Sequence, residues 1–525
     1  MTSLNKLSEQ NPRQIAARVL SQRLNSGEFT ENLLETALAN ARLSPADRGL
    51  CHELVCGVVR WQATLDRLIA RKTTPGREPR PALVNLLRLG LYQIFWLDRI
   101  PPHAAVHETV ELAKRSGYVS QSGFINAILR GYLREFDEVK KILADMKISQ
   151  PALGWSHPGW LVEKWRKNFG DEQTRQLLEW NNTPPKNFAR VNTLKLRSSR
   201  REEAQTDVAH HPSGITHPNS QSLLTSAATT ELGDAGDLLT RWRDEGVEYD
   251  FVQRDWLEEN LVFELKSHPP LASLGSFRDG WFYIQDPGTL LAVRELDPQP
   301  GETILDLCAA PGGKAMFIAQ LMDDSGKIVA HDISEERLKL IRENCVRLGV
   351  TCVEVQISEV IRPHPGPLPQ EREQPLAASV SASATIANPA QDFSKAREPF
   401  PPLPGGEGRG EGGQIHILFD RILIDAPCSN TGVLRRRVDL RWRISADEIL
   451  RLQKTQLELL NQAATKLKPG GVLVYSTCSL EPEENSEVVK EFLAANENFE
   501  LETERQLLPF ADHVDGAYVA RLVKS

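Results

Sequence analysis

The chain has 525 residues, 25% charged and 40% hydrophobic, with a formal net charge of −8 and seven cysteines. That length allows about three domains, and no uninterrupted apolar run is long enough to span a bilayer. The first thirteen residues are too polar for a signal peptide, and an odd, scattered set of cysteines is no disulfide framework, so a cytoplasmic protein with free thiols is expected.

Residues 1–145 read as an all-α bundle. Gln14 to Leu20 carries apolar residues at helical spacing, and Ser44-Pro45-Ala46-Asp47 predicts an N-cap with proline at the first helical position. Pro81 to Trp96 is a strongly apolar helix, and Phe124 to Arg130 closes the set. This third holds 20 Lys and Arg against 15 Asp and Glu, an excess of +5 on an otherwise acidic chain. A local positive patch can hold RNA whatever the total charge; a solvated surface gives the same count. His103 and His107 lack the glutamate of a zinc-protease helix and no CxxC pair occurs, so no metal site is expected.

Residues 146–285 read as a helical connector, His157 to Asn182, followed by a small α+β module running from Ala189 to Pro287. Its Ser/Thr/Ala/His-rich middle, about 204–240, predicts an inserted loop.

Residues 286–525 read as a Rossmann-like α/β domain. Ile304 to Leu307 is a strand leading into Cys308-Ala309-Ala310-Pro311-Gly312-Gly313-Lys314, a tight turn that opens a helix from Ala315 to Met322. Its glycines let backbone approach a ligand closely. It is no Walker loop, because Cys308 stands where the first glycine would be and Ala315 replaces the magnesium-binding hydroxyl. Ile328 to Asp332 is a second strand, whose terminal carboxylate suits ribose hydroxyls. A nicotinamide cofactor remains an alternative, but the missing GxGxxG and the downstream thiols favour S-adenosylmethionine. A third strand, Val353 to Ser358, precedes a segment, 360–413, with ten Pro and seven Gly in 54 positions. Such a segment is expected to be disordered and to interrupt the sheet as a tolerated insertion.

Two cysteines carry the chemistry. Cys428 ends Asp425-Ala426-Pro427-Cys428 and Cys478 ends Tyr475-Ser476-Thr477-Cys478, each after an apolar run that reads as a buried parallel strand. Ligands of open α/β sheets bind beyond the carboxyl ends of the strands. Both thiols are therefore expected beside the cofactor, whereas Cys51, Cys56, Cys345 and Cys352 are expected to be structural. Gly432 to Arg437, with three adjacent arginines, is a candidate phosphate clamp.

The motifs at 306–314, 425–429 and 476–479 match, in order, those of RNA 5-methylcytosine methyltransferases. Residues 102–108 and 124–130 resemble the NusB-like RNA-binding domain. Excepting the two insertions, nearly the whole chain resembles the ribosomal-RNA methyltransferase B (RsmB) family, and Glu483-Glu484-Asn485 also looks like its pattern. The resemblance implies methyl transfer from S-adenosylmethionine to C5 of a small-subunit (16S) ribosomal-RNA cytidine; a monomer is expected. It implies that residues 308–314 and Asp332 hold the cofactor, that Asp425, oriented by Lys314, borders cofactor and base, and that Cys478 attacks while Cys428 assists release. The DNA enzymes would instead nominate Cys428 as nucleophile. The family carries an aspartate near the adenine where this chain has Ser358. Transfer RNA as substrate, or an assembly factor with a decayed enzyme domain, are the competing readings.

Overall fold

A computed structural model describes residues 11–74, 76, 78–199, 235–357 and 418–525. Among the described residues, eight helices form the first unit: α1 (Pro12–Asn25), α2 (Thr30–Ala39), α3 (Pro45–Arg60), α4 (Gln62–Lys72), α5 (Pro81–Trp96), α6 (Pro102–Arg115), α7 (Ser122–Arg134) and α8 (Phe136–Ser149). Local chemistry sets several of their starts. The Asn11 side chain accepts from Arg13 N at 2.9 Å, and Ser44 caps α3 through Asp47 N, with Pro45 at the first helical position. The unit runs past residue 145 because α8 continues to Ser149.

Helix α9 (Gly159–Trp180) leads to the small module, a four-stranded antiparallel sheet ordered β2-β3-β1-β4: β1 (Asn187–Val191), β2 (Glu248–Phe251), β3 (Val262–Ser267) and β4 (Phe282–Ile284). Helix α10 (Gly236–Glu245) overturns the expectation of irregular chain to residue 240. Leu238 and Trp242, one helical turn apart, are fully buried, and the Trp242 ring lies 5.3–5.5 Å from those of Phe263 and Phe282. The polar run before α10 masked this short period; residues 200–234 lie outside the described ones.

Among the described residues, the last unit holds a seven-stranded sheet. Its strands are β5 (Thr303–Leu307), β6 (Lys327–Asp332), β7 (Val353–Ile357), β8 (Phe419–Asp425), β9 (Leu467–Thr477), β10 (Phe499–Leu507) and β11 (Ala517–Lys524). The order is β10-β11-β9-β8-β5-β6-β7, parallel from β9 to β7, with β11 and β10 antiparallel. The chain winds outward from β5 through β6 to β7, then returns to the other side of β5 as β8. The crevice of this switch point lies beyond the carboxyl ends of β5 and β8. Ser358 and the whole 360–413 segment lie outside the described residues.

The helical unit and the sheet domain share a core. Leu434, Val438, Leu440, Ile444, Ile449 and Leu480 bury into the same apolar cluster as the helices. Buried polar bonds lock the seam. Arg441 donates to the carbonyls of Arg60, Ser156 and Asn181, and Asp439 accepts from Arg23 Nε at 2.6 Å and from Thr30 N. Trp442 Nε1 donates to Val59 O at 2.8 Å.

Candidate active site

At the end of β5 the chain turns sharply: Cys308 sits at φ +61° and Gly312 at +102°. The left-handed region costs an L-residue roughly 1–2 kcal/mol, so Cys308 is a held conformation. A Cβ on Gly313 would come within 3.0 Å of Tyr283 and 3.1 Å of the Gln285 amide, so a larger residue would push these side chains by a few tenths of an ångström. Asp332, at the end of β6, holds the turn by accepting from Ala310 N at 3.3 Å and Ser334 N at 3.2 Å, with Arg337 at 3.3 Å. Burial pushes its carboxyl above the ordinary range.

Asp306, inside β5, is fully buried, and neither carboxylate oxygen has a hydrogen-bond partner. Burial pushes its pKa up to about 8; Lys314 opposes the rise, and Asp425 and Asp332 add to it. The folded state therefore keeps this proton when the unfolded chain has lost it. The associated stability is complete below the ordinary aspartate range and is lost as pH rises toward about 8. Asp306→Asn keeps the shape and removes the titration. Between pH 5 and 8 the melting temperature of the ligand-free variant is expected to fall less than that of the parent; equal slopes would refute the assignment.

Asp425, at the end of β8, is gripped from both sides. Lys314 Nζ lies 2.6 Å from its Oδ2, and Ser476 Oγ donates to Oδ1 at 3.3 Å. Beyond β8 and β9, Cys428 and Cys478 bring their sulfurs to 3.3 Å. Cys428 is 1% exposed, and burial, with Cys478 and Glu484 adding to it, drives its thiol well above the usual range; Cys478 is more open. The Cys478 thiol donates to Asn430 Oδ1 at 2.9 Å, and Asn430 Nδ2 donates to Cys428 O at 2.7 Å. Asn430 sits at φ +58°, a conformation asparagine tolerates better than most side chains.

Glu484 ties the two cysteine loops together. It accepts from Ser429 N at 2.8 Å, from both the Ser429 and Ser479 hydroxyls, and from Gln456 at 3.2 Å. Burial raises its carboxyl to about 7 against those bonds. Removing this acceptor by Glu484→Ala leaves buried donors unmet, each costing about 1–3 kcal/mol. A loss of several kcal/mol in urea unfolding is expected; an unchanged midpoint would remove Glu484 from this role.

The structure thus brings Cys308–Lys314, Asp332, Asp425, Cys428 and Cys478 to one crevice. The candidate phosphate clamp is overturned. Arg435 is 1% exposed and pairs with Asp515 at 2.8 Å, while Arg436 pairs with Asp515 and with Asp286 at 3.0 Å. These two guanidiniums are neutralised inside the fold. Asn430 and the orphaned Asp306 are the residues sequence reasoning assigned no role. Asp306 was legible as an acid in the middle of an apolar strand.

The description "16S rRNA methyltransferase RsmB/F" matches residues 293–365 and 407–523, the NusB family matches 10–134, and an RsmF/B-like ferredoxin-like domain matches 157–207. The probable ribosomal RNA small subunit methyltransferase B of Bacillus subtilis (strain 168) is 31% identical, over 93% of this chain and 89% of the relative. That of Synechocystis sp. is 33% identical over 98% and 99%. The ribosomal RNA small subunit methyltransferase B of Escherichia coli O1:K1 is 31% identical over 98% and 99%. The crystal structure of PH0851 shares the fold, with a TM-score of 0.65 at 21% identity over 98% of this chain and 99% of that one.

Proposed function

Because the chain belongs to the RsmB/F family of 16S rRNA methyltransferases, we propose that it methylates C5 of a cytidine in small-subunit (16S) ribosomal RNA, with S-adenosylmethionine as donor and a covalent Cys478–C6 bond to the base. The observation that carries this reading is the pair of thiols 3.3 Å apart beside an aspartate held by lysine, at the switch-point crevice. The relatives' names favour ribosomal over transfer RNA.

The residues present fit the cofactor. The Cys308–Lys314 turn and the start of helix α11 (Gly313–Leu321) offer backbone at close range, and the orphaned Asp306 carboxyl, which keeps its proton in the ligand-free fold, would ionise beside an ammonium group. Asp332 keeps lone pairs for ribose hydroxyls beyond those that hold the turn. When bound, S-adenosylmethionine supplies an electrophilic methyl group on a sulfonium.

Cytosine C5 is too weak a nucleophile alone. The Cys478 thiolate adds to C6, and the ring electrons move to make C5 an enamine carbon. Asp425, fixed by Lys314 and Ser476, hydrogen-bonds the base edge as the ring takes up charge. After C5 has gained its methyl, the C5 proton passes to solvent water, and its electrons restore the C5–C6 double bond and expel the Cys478 thiolate. Cys428 is unsuited to attack, because attack needs a thiolate and burial keeps this group a thiol; with its sulfur 3.3 Å from that of Cys478 it can instead donate to the departing Cys478 thiolate and assist release.

Bisulfite mapping of total RNA from cells with and without the protein tests the reading. One 5-methylcytosine in small-subunit rRNA is expected to disappear and to return on complementation. Loss confined to transfer RNA would move the substrate. An unchanged map, with no S-adenosylmethionine binding in titration, would leave an assembly factor.

A further inference from the structure

The two sulfurs in the crevice meet because the backbone brings them together. Strands β8 and β9 are parallel neighbours paired at Asp425 and Ser476, and Ala426 N donates to Ser476 O at 2.8 Å just beyond that pair. Neighbouring strands lie about 4.8 Å apart, inside the range of Cα separations that a disulfide spans. Past the strand ends, Gly432 N donates to Cys478 O at 2.9 Å, and Asn430 ties the Cys478 sulfur to the Cys428 carbonyl. The resulting 3.3 Å between sulfurs falls in the window of atoms poised to react. A covalent bond needs them only about 1 Å closer.

The pair is also unequal. Cys478 is partly open, whereas Cys428, against it, is 1% exposed. An accessible thiol beside a shielded one suits capture of a first oxidation as a disulfide, before further oxygen is added. Methyl transfer and elimination change the oxidation state of neither sulfur, so the contact holds a capacity that the reaction does not use.

We propose that Cys428 and Cys478 form a reversible oxidation site, at which a hydroperoxide joins them as a disulfide and switches methylation off. The Cys478 thiolate attacks one oxygen of hydrogen peroxide; an S–O bond forms, the O–O bond breaks, and the departing hydroxide takes a proton from solvent to leave as water. The Cys428 sulfur then attacks the Cys478 sulfenic acid. The S–S bond forms as the S–O bond breaks, and the Cys428 proton leaves with the hydroxyl as a second water. Together the two sulfurs give up the two electrons that the peroxide gains. Exchange with an external dithiol reverses the change. Formation of the bond needs only the two sulfurs; the silencing rests on the reading of Cys478 as nucleophile.

The test uses the full-length protein, first reduced, then treated with hydrogen peroxide and quenched by alkylation. Non-reducing mass spectrometry is expected to show a chain lighter by two hydrogens and the tryptic peptides of Cys428 and Cys478 joined. Methylation of a 16S rRNA transcript is expected to fall in proportion to the joined fraction and to return with dithiothreitol, while S-adenosylmethionine affinity stays unaltered. In Cys428→Ser, whose readout is mass alone, Cys478 is expected to gain two oxygens that dithiothreitol does not remove. The parent chain carries the decision if that variant misfolds. Cys478 oxidised without joining Cys428, a bond to any other cysteine, or activity lost with no joined peptides would overturn the proposal. A joined pair that still methylates overturns the switch, and with it Cys478 as nucleophile. A reduced chain that never methylates, yet joins the two peptides, fails the functional reading and supports the oxidation site.

Discussion

Cys478→Ala is expected to abolish methyl transfer, a loss on the order of 10⁴-fold or more, as for other removed nucleophiles. Without the thiolate, C5 is never activated and no covalent protein–RNA adduct forms. Cys428→Ala is expected to fail differently. Attack and methylation proceed, elimination slows, and a denaturant-stable band of retarded mobility accumulates on gels. Adding Cys478→Ala to that variant removes the band. The geometry supports this division, since Cys478 is the more open thiol and touches Asn430, whereas Cys428 is buried behind it. If Cys478→Ala traps RNA and Cys428→Ala does not, the roles are reversed.

Asp515→Ala is expected to produce the largest loss of stability. Asp515 is 4% exposed and accepts from both Arg435 and Arg436, and its N–H donates to Asp286 at 3.0 Å. Arg436 also reaches Lys186 O, so the cluster joins the small module, the β8–β9 connection and the β10–β11 hairpin. Removing one carboxylate leaves two guanidiniums sharing a single buried acid. Breaking a buried pair from one side costs about 3–5 kcal/mol. Urea unfolding followed by tryptophan fluorescence should show it, while Glu172→Ala, from the exposed pair with Arg175, should not move the midpoint. Burial alone would raise Asp515, but the two arginines hold it below the ordinary range. Its contribution is therefore complete above that range and is lost on acidification through the lowered value. An unshifted midpoint at neutral pH would refute the cluster's role.

What could be read in the sequence was what local chemistry encodes. The Ser44-Pro45 start of α3 and the turn after β5 announce themselves within a few residues, because capping, proline and glycine act locally. The two cysteines were legible because each ends an apolar strand in a parallel sheet. Arg435 and Arg436 were not. Three adjacent arginines look alike whether solvated or buried, and the deciding acids lie 80 and 150 residues away along the chain. The helix from Gly236 was hidden by the polar run before it. Asn430 has no pattern of its own; only the approach of the β8 and β9 loops gives it a sulfur to hold.

The apolar cluster common to the helices and to Leu434–Ile449, with Arg441 and Trp442 bonded across it, fastens the helical unit to the sheet domain. A hinged accessory would let the catalytic crevice sample any cytidine within reach of a tether. If RNA lies across both units, a fixed spacing between them would restrict which cytidine can reach the crevice. Choice of nucleotide would then be in part a measurement of length in folded RNA.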